Sequence, residues 1–137
     1  MKNIKIDLLK PFEWRVYKAI QLEAFKEEPS SFGTSYAEWV DASDKKWQER
    51  PSDKDSLIFV AKDEERAVGV VGVTFEGDEE GKAAYLWGMY VNLSYRGLGL
   101  GKQLLNTTIK ALKKTTKVRK VKLMVEYDPT PAQRLYK

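Results

Sequence analysis

A glycine-rich turn between two apolar segments is the feature that most restricts how this chain can fold. Ala83–Val91 alternates in the manner of a β-strand, and Lys102–Lys114 carries apolar residues at helical spacing. Between them lie Gly97, Gly99 and Gly101, at every second position of Arg96–Gly101, called here the glycine turn. A strand that enters a helix through such a turn predicts an α/β crossover at the centre of a sheet.

The rest of the chain predicts an α+β fold, with a mixed, mostly antiparallel twisted sheet flanked by helices. Strict alternation along Ala83–Val91 would place Tyr85, Trp87 and Met89 on one face, and Leu86 and Tyr90 on the other. The polar stretch Glu76–Lys82 is predicted as a turn. The other predicted strands are Asn3–Leu8, Leu57–Lys62, Ala67–Phe75 and Val121–Val125, the last of them parallel to Ala83–Val91; the other predicted helices are Phe12–Phe25, Tyr36–Arg50 and the beginning of one at Pro131–Lys137.

Two residue types are absent, and their absence excludes several kinds of chemistry. The 137 residues suit a single domain, and they include no cysteine and no histidine. A Ser-His-Asp triad, a cysteine nucleophile and a zinc site of His and Cys ligands cannot be built from this chain. Acid–base chemistry therefore has to use Glu, Asp, Tyr, Lys or water. No segment has the length and apolarity of a membrane span, so a cytoplasmic protein without a membrane partner is expected.

The positive charge is concentrated in one segment. From Arg96 to Lys122 there are nine Lys or Arg residues and no Asp or Glu. A solvated helix face explains this run better than nucleic-acid binding, because the interleaved aromatic residues of a single-strand binder are missing. The same charge would also suit a ligand that carries phosphates.

The glycine turn has the properties of an anion site. The first amides of a helix lack intrahelical partners and carry the positive end of the helix dipole, and glycine lets a ligand approach the backbone closely. Phosphate is the expected ligand. Two common phosphate motifs do not fit: Gln103 follows Lys102 where a P-loop needs Ser or Thr, and Lys102 stands where the dinucleotide motif needs its third glycine.

The pattern R-x-x-G-x-G at Arg96–Gly101 resembles the acetyl-CoA-binding segment of the GNAT superfamily of N-acetyltransferases. Ala132–Lys137 is similar to the A-x-x-L-Y-x beginning of that family's last conserved helix, and the order of elements agrees from about residue 4 to the end. The resemblance implies acetyl-CoA as the acyl donor, no metal, and direct attack by an amine. It also implies that more chain follows, because the family normally continues with two closing strands; a missing C-terminal tail is therefore expected.

The resemblance assigns site residues as well. It implies that Tyr136 protonates the leaving thiolate as the catalytic residue, a reasonable pairing because a phenol and a thiol have pKa values near 10 and 8.5. Backbone groups at the end of the strand would bind the pantetheine arm, and amides of the turn would bind the pyrophosphate. The implied cofactor-binding residues are Met89, Tyr90, Val91, Arg96, Gly97, Leu98, Gly99, Leu100, Gly101 and Lys102.

The general base is left open by the sequence. Met124 stands where some family members have a glutamate base, and Pro129 stands where an asparagine is common. A chain of water molecules is the preferred route for the proton, with Glu126, Asp128 and Glu76 as alternatives.

Function is predicted as transfer of an acetyl group from acetyl-CoA to a primary amine of a small molecule or a peptide. The alternative is a non-catalytic acyl-CoA-binding regulatory module, which the departures at Met124 and Pro129 favour. A nucleic-acid-binding protein is a third hypothesis and depends only on the basic run. Dimers are common in the family, so the resemblance allows a homodimer.

Overall fold

The computed structural model describes residues 4–28, 35–78, 81–114 and 118–124. Within these ranges five strands form one sheet in the order β1-β2-β3-β4-β5. The strands are β1 (Ile4–Leu8), β2 (Ser56–Asp63), β3 (Arg66–Asp78), β4 (Gly81–Val91) and β5 (Val118–Met124); the helices are α1 (Trp14–Glu27), α2 (Ser35–Trp39), α3 (Asp44–Ser52) and α4 (Leu100–Lys113). The predicted helix at Pro131–Lys137 lies outside the described residues.

The sheet combines an antiparallel and a parallel part. Strands β1 to β4 pair as antiparallel neighbours, and β5 pairs with β4 in parallel after the crossover through α4. The predicted α+β fold and the parallel last strand are confirmed. Helix α1 packs mainly over β3, whereas α4 packs over β2, β3 and β4.

The predicted turn at Glu76–Lys82 is wrong for most of its length. Strand β3 continues to Asp78 and β4 begins at Gly81, with Glu76 opposite Ala83 in the ladder. An antiparallel ladder is held by backbone hydrogen bonds, so polar residues and glycine extend it without an apolar face. The β3–β4 hairpin is therefore longer than its hydrophobic pattern indicates.

The predicted helix Tyr36–Arg50 is also wrong, because two helices occupy this stretch. The hydroxyl of Ser43 accepts a hydrogen bond from the Lys46 amide at 3.2 Å and caps the N-terminus of α3. Serine competes with the backbone for such amides, which makes it an N-cap rather than a residue of a helix interior. Pro51, the residue directly after the predicted helix, lies in the last turn of α3, which ends at Ser52.

Two apolar layers cover the sheet. The α4 face consists of buried side chains of α4 packed on β2, β3 and β4, and the α1/α3 face consists of buried side chains of α1 and α3 packed on the opposite side. Members of the α4 face include Phe59, Val71, Val73, Leu86, Met89, Leu104, Leu105 and Leu112. Members of the α1/α3 face include Trp14, Tyr17, Ile20, Trp47, Ile58, Val60, Val70 and Tyr90.

A β-bulge interrupts β4 at Gly88. Trp87 pairs with Gly72 and Tyr90 pairs with Val70, so Gly88 and Met89 together oppose a single residue of β3. Gly88 has a φ of 63°, the left-handed conformation that glycine adopts without strain and that begins one type of bulge.

The bulge changes which side chains share a face. Met89 is buried in the α4 face with Leu86, while Tyr90 is buried in the α1/α3 face. Trp87 lies against Arg50 of α3, on the side opposite Met89. The predicted grouping of Trp87 with Met89, and of Leu86 with Tyr90, is therefore wrong, because one extra residue reverses the alternation.

Across the described segments, no helix has both the length and the apolar character that crossing a membrane requires.

Candidate active site

The glycine turn has the backbone conformation that the sequence predicts. Gly97 and Gly99 have φ values of 79° and 81°, and Gly99 is the N-cap of α4 without any side-chain cap. Apart from the chain neighbours, no heavy atom of the described residues lies within 4 Å of an added Cβ at either position. Glycine is thus required here by conformation and not by crowding, and the space in front of the first α4 amides is open.

The residues of the turn divide into exposed and buried ones. Gly97, Leu98, Gly99 and Lys102 are exposed, and Leu98 has 56% of its surface accessible despite being apolar. Leu100 is buried and packs with Ala61, Val68 and Val91, which anchors the first turn of α4 to the sheet. The helix begins at Leu100, two residues before the predicted start, so Leu100 and Gly101 belong to it.

Arg96 fastens the glycine turn to the rest of the fold. Its Nε donates a hydrogen bond to the Val91 carbonyl at 2.8 Å, and its guanidinium pairs with the carboxylate of Glu28 at the end of α1. The same guanidinium lies 5.5 Å from the centre of the Tyr90 ring. The side chain is therefore engaged by protein groups, and its described role is to hold the turn.

Further contacts hold the loop that leads into the turn. The Asn92 amide donates to the Val68 carbonyl at 2.8 Å, and its side-chain Nδ2 donates to Glu23 at 2.8 Å. The Tyr95 hydroxyl donates to the carboxylate of Asp63, and this hydrogen bond raises the pKa of the Tyr95 phenol. The turn is thus connected to β2, β3 and α1 before any ligand binds, which is the preorganisation a binding site needs.

The electrostatics of the turn favour an anion. The first turn of α4 contains no acidic residue, and Lys102, Lys110 and Lys113 are exposed along the helix. The positive end of the helix dipole and the unpaired first amides point to the same open space. A phosphate group fits this combination.

The end of β4 leads into the loop before the turn. Tyr90 and Val91 pair with β3 on one side, and on the other side β4 pairs with the described part of β5 from Lys82 to Trp87. Side chains of Met89, Tyr90 and Val91 are buried, so a ligand along this part of the strand would contact backbone groups. Burial, together with the nearby Glu23 carboxylate, raises the pKa of the Tyr90 phenol.

A buried polar group lies over the bulge and was not predicted. Gln21 of α1 is only 3% exposed, and its Nε2 donates to the Tyr17 hydroxyl at 3.3 Å. Its Oε1 makes no hydrogen bond to any described residue. The Gln21 amide is also the nearest group to the position that a Cβ of Gly88 would take, at 3.8 Å. The sequence signal that could have indicated this burial is a glutamine beside the apolar residues of α1 that face the core (Tyr17, Ile20 and Ala24).

Trp87 lies just before the bulge, and its ring is enclosed. The indole Nε1 donates to Thr74 at 2.8 Å, and the Arg50 guanidinium lies 4.8 Å from the ring centre. A Cβ at Gly72 would come within 2.3 Å of the indole, so only glycine allows the ring to lie across β3. Trp87 is therefore partly buried, and the Arg50 guanidinium covers one face of its ring.

The remaining predicted residues are not brought to the site by the described part of the chain. Tyr136, Glu126 and Asp128 lie outside the described residues. Glu76 pairs with Ala83 through its backbone, away from the bulge along β4, and Met124 pairs with Trp87. Over the described ranges, no group of three or more carboxylate, His or Cys side chains could hold a metal ion.

The described chain is thus an α+β protein whose fourth strand passes through a bulge and a glycine turn into a helix. The family model described as "Acetyltransferase (GNAT) family" matches residues 16–137. The chain therefore belongs to the acetyltransferase (GNAT) family, which confirms the resemblance of the glycine turn, and it is an acyltransferase. Enzymes of this family use acetyl-CoA. No curated protein sequence matches the chain.

Solved structures show the same fold at low identity. An aminoglycoside acetyltransferase, meta-AAC0020 from an uncultured soil metagenomic sample, is 21% identical, with a TM-score of 0.75 over 98% of this chain and 85% of that one. A ribosomal-protein-alanine N-acetyltransferase from Brucella melitensis biovar Abortus 2308 is 16% identical, with a TM-score of 0.75 and coverage of 97% and 87%. The aminoglycoside N-acetyltransferase AAC(6')-Iy in complex with CoA is 14% identical, with a TM-score of 0.69 and coverage of 97% and 84%.

Proposed function

We propose that this chain transfers an acetyl group from acetyl-CoA to a primary amine within a ternary complex. The observation that carries the proposal is the open, preorganised N-terminus of α4, where Gly97 and Gly99 hold left-handed conformations and no side chain caps the helix. The amides from Gly97 to Lys102 bind the pyrophosphate of the cofactor. The exposed lysines along α4 suit its remaining phosphate.

The pantetheine arm follows the edge of β4. Its two amide groups pair with backbone groups of Met89, Tyr90 and Val91, which extends the sheet with a ligand in place of a strand. The burial of these three side chains supports the assignment, because only their backbone groups are offered to the arm. The thioester then lies beyond Met89, toward Gly88.

The reaction needs no enzyme nucleophile. The amine nitrogen attacks the thioester carbonyl carbon, a C–N bond forms, and the C–S bond breaks with its electron pair on sulfur. Tyr136 gives a proton to the leaving thiolate, and the nitrogen loses one to a chain of water molecules or to the carboxylate of Glu126 or Asp128. The products are the acetylated amine and free CoA thiol. If a Tyr136→Phe variant releases thiol at the wild-type rate, Tyr136 is not the proton donor to the thiolate.

The acceptor is a primary amine on a small molecule or a peptide. Relatives of the same fold include enzymes named for aminoglycosides and for a protein alanine, so the fold serves both kinds of acceptor. Thiol release from acetyl-CoA should be followed with sisomicin and with a peptide that has an N-terminal alanine. Turnover with either acceptor supports the acetyltransferase function. Binding of acetyl-CoA without thiol release across a wide panel of amines would favour the non-catalytic acyl-CoA-binding module.

The cofactor site itself is tested by an isosteric pair of variants, Gly99→Asp and Gly99→Asn. Both side chains tolerate the left-handed conformation, and the space around Gly99 is open. The carboxylate of Gly99→Asp would face the pyrophosphate within a few ångströms, and we expect acetyl-CoA affinity at least about tenfold below that of Gly99→Asn. Equal affinities of the two variants, measured by calorimetry, would contradict the assignment of the pyrophosphate to this turn.

A further inference from the structure

We propose that two copies of this chain form a dimer by pairing their β1 strands antiparallel to each other, centred on Ile6, so that their two sheets become one. The interaction surface is the outer edge of β1, and the partner that it fits is the same strand of a second copy. The inference is independent of the proposed reaction, because no contact of the cofactor or of the amine enters it.

The outer edge of β1 has no partner strand in the described part of the chain. β1 is the first strand in the sheet order, and it pairs with β2 along its inner edge. The backbone groups of an outer edge are left to water or to a further strand. Such an edge is a template for strand addition, and the side chains beside it decide which strand can be added.

The register shows which backbone groups point to the outer edge. In an antiparallel pair, alternate residues direct both their N–H and their C=O groups toward the partner strand. The Leu9 amide donates to the Ile58 carbonyl at 2.7 Å, so Leu9 and every second residue before it bond to β2. The residues between them direct their N–H and C=O groups to the outer edge, and these are Ile4, Ile6 and Leu8.

The side chains of β1 form an apolar row and a charged row. Ile4 and Ile6 pack beneath the first turn of α4. Leu8 lies on the same side by the alternation of a strand, and it is 45% exposed. Lys5 and Asp7 are exposed on the opposite side. The charged row therefore has a positive and a negative end.

These charges select one register for two copies related by a two-fold axis. Centred on Lys5, the pairing would place two lysines opposite each other, and centred on Asp7 it would do the same with two aspartates. Centred on Ile6, it pairs all five residues of β1, with Lys5 of each copy opposite Asp7 of the other. Opposite charges in such pairs stabilise a sheet, and like charges destabilise it. A lone lysine would only block the edge, whereas Lys5 with Asp7 makes it complementary to itself.

The register centred on Ile6 also satisfies the backbone of the outer edge. Ile6 exchanges both hydrogen bonds with Ile6 of the second copy, and Ile4 does so with Leu8 on either side. Lys5 and Asp7 then form the non-hydrogen-bonded pairs, in which Cα atoms are about 4.5 Å apart and side chains come closest. The exposed Leu8 gains an apolar neighbour in Ile4. Backbone, charge and apolar contacts thus favour the same register.

The oligomeric state should be measured by sedimentation equilibrium over a range of chain concentrations, without any ligand. We expect the wild-type chain to show a monomer–dimer equilibrium. Lys5→Glu places like charges opposite each other in both charged pairs, so the dissociation constant of the dimer should rise at least about tenfold. Lys45→Glu makes the same change at an exposed position of α3 and should leave the constant within about twofold.

Charge exchange tests the register itself. Asp7→Lys should weaken the dimer as Lys5→Glu does. The double variant Lys5→Glu/Asp7→Lys should return to within about threefold of the wild-type dissociation constant, because opposite charges face each other again. An equimolar mixture of the two single variants should form a mixed dimer for the same reason. A fold that is only destabilised would not be rescued in either way.

A second pair of variants tests the backbone hydrogen bonds. Leu8→Pro removes the N–H that donates to Ile4 of the second copy and none that bonds to β2, and proline is tolerated on an edge strand in this orientation. Leu8→Ala keeps the N–H. We expect the dissociation constant to rise at least about tenfold for Leu8→Pro and by a smaller factor for Leu8→Ala.

Three results would overturn the proposal. The first is a wild-type chain that stays monomeric at every concentration, which would mean that the outer edge of β1 is not used by a second copy. The second is a dimer with the same dissociation constant in Lys5→Glu and Lys45→Glu. The third is a double variant that dimerises no better than the single ones. Because no ligand is present, each of these results leaves the proposed function to its own tests.

Discussion

The two faces of the sheet differ in how completely their polar groups are paired. On the α4 face the core is apolar, and its buried Thr108 donates its hydroxyl to the Leu104 carbonyl at 2.8 Å. On the α1/α3 face, two buried polar atoms have no hydrogen bond to a described residue, Gln21 Oε1 and Trp47 Nε1, and the buried Tyr90 hydroxyl lies near the Glu23 carboxylate.

The two faces therefore contribute differently to the fold. The α4 face consists of apolar side chains packed against α4, the helix whose N-terminus is proposed to bind the pyrophosphate. The α1/α3 face keeps polar groups buried at a cost in stability.

The largest effect is expected from Leu104→Ala on the α4 face. Leu104 is fully buried among Val71, Val73 and Leu86, and loss of its side chain leaves a cavity under α4. We expect the free energy of unfolding to fall by about 3 kcal/mol, measured by urea denaturation. The control is Leu93→Ala, since Leu93 is 58% exposed, with an expected change under about 0.5 kcal/mol. Equal losses for both would show that the α4 face is not close-packed.

An intermediate effect is expected from Gly72→Ala on the α1/α3 face. The new Cβ would lie 2.3 Å from the Trp87 indole, which has to move off β3 and give up its hydrogen bond to Thr74. We expect a loss of about 1–3 kcal/mol in the same denaturation assay. Gly69→Ala is the matched control, because its Cβ would meet neighbours at 3.4–3.5 Å, and a smaller change is expected. If the two variants lose the same stability, the clash with Trp87 is not the reason why position 72 has to be glycine.

The smallest effect is expected from Glu13→Gln at the entrance to α1, away from both core faces. The hydrogen bond from Lys62, followed by that from the Lys10 amide, holds the pKa of the Glu13 carboxyl below its ordinary value of 4.5. A depressed pKa adds stability above the unfolded-state value, and this stability is lost as the pH falls through the folded-state value.

We therefore expect Glu13→Gln to reduce the free energy of unfolding by less than about 1 kcal/mol near neutral pH, and to have no effect in strong acid. The measurement is urea denaturation of both chains across that pH range. A difference that persists unchanged in acid would mean that the ionised carboxylate is not responsible.

The parts of the fold that the sequence predicted correctly depend on local signals. The glycine turn could be predicted because its signal is local. Alternate glycines between a strand and a helix indicate left-handed backbone conformations and a helix N-terminus without a side-chain cap. The strands Leu57–Lys62 and Ala67–Phe75 were predicted from their own apolar runs, and the turn between β2 and β3 is Glu64 and Glu65, with Glu64 at a φ of 58°.

The failed prediction of the faces of β4 depends on pairing between distant residues. The bulge leaves the strand pattern of Ala83–Val91 intact in the sequence, and only the register against β3 shows that Gly88 is the extra residue. The break before α3 is a different case, because the cap by Ser43 is a local signal three residues long that the prediction of one continuous helix did not use. The position of Gln21 next to Gly88, far along the chain, likewise becomes visible only in the structure.

The central claim, that the glycine turn binds an acyl-CoA, is tested most directly by melting curves of the wild-type chain at increasing acetyl-CoA concentration. Binding to the native state predicts a melting temperature that continues to rise as the ligand concentration increases above the dissociation constant. Gly99→Asp should shift much less than the wild-type chain at the same concentrations. A melting temperature that does not change at millimolar acetyl-CoA would contradict the claim.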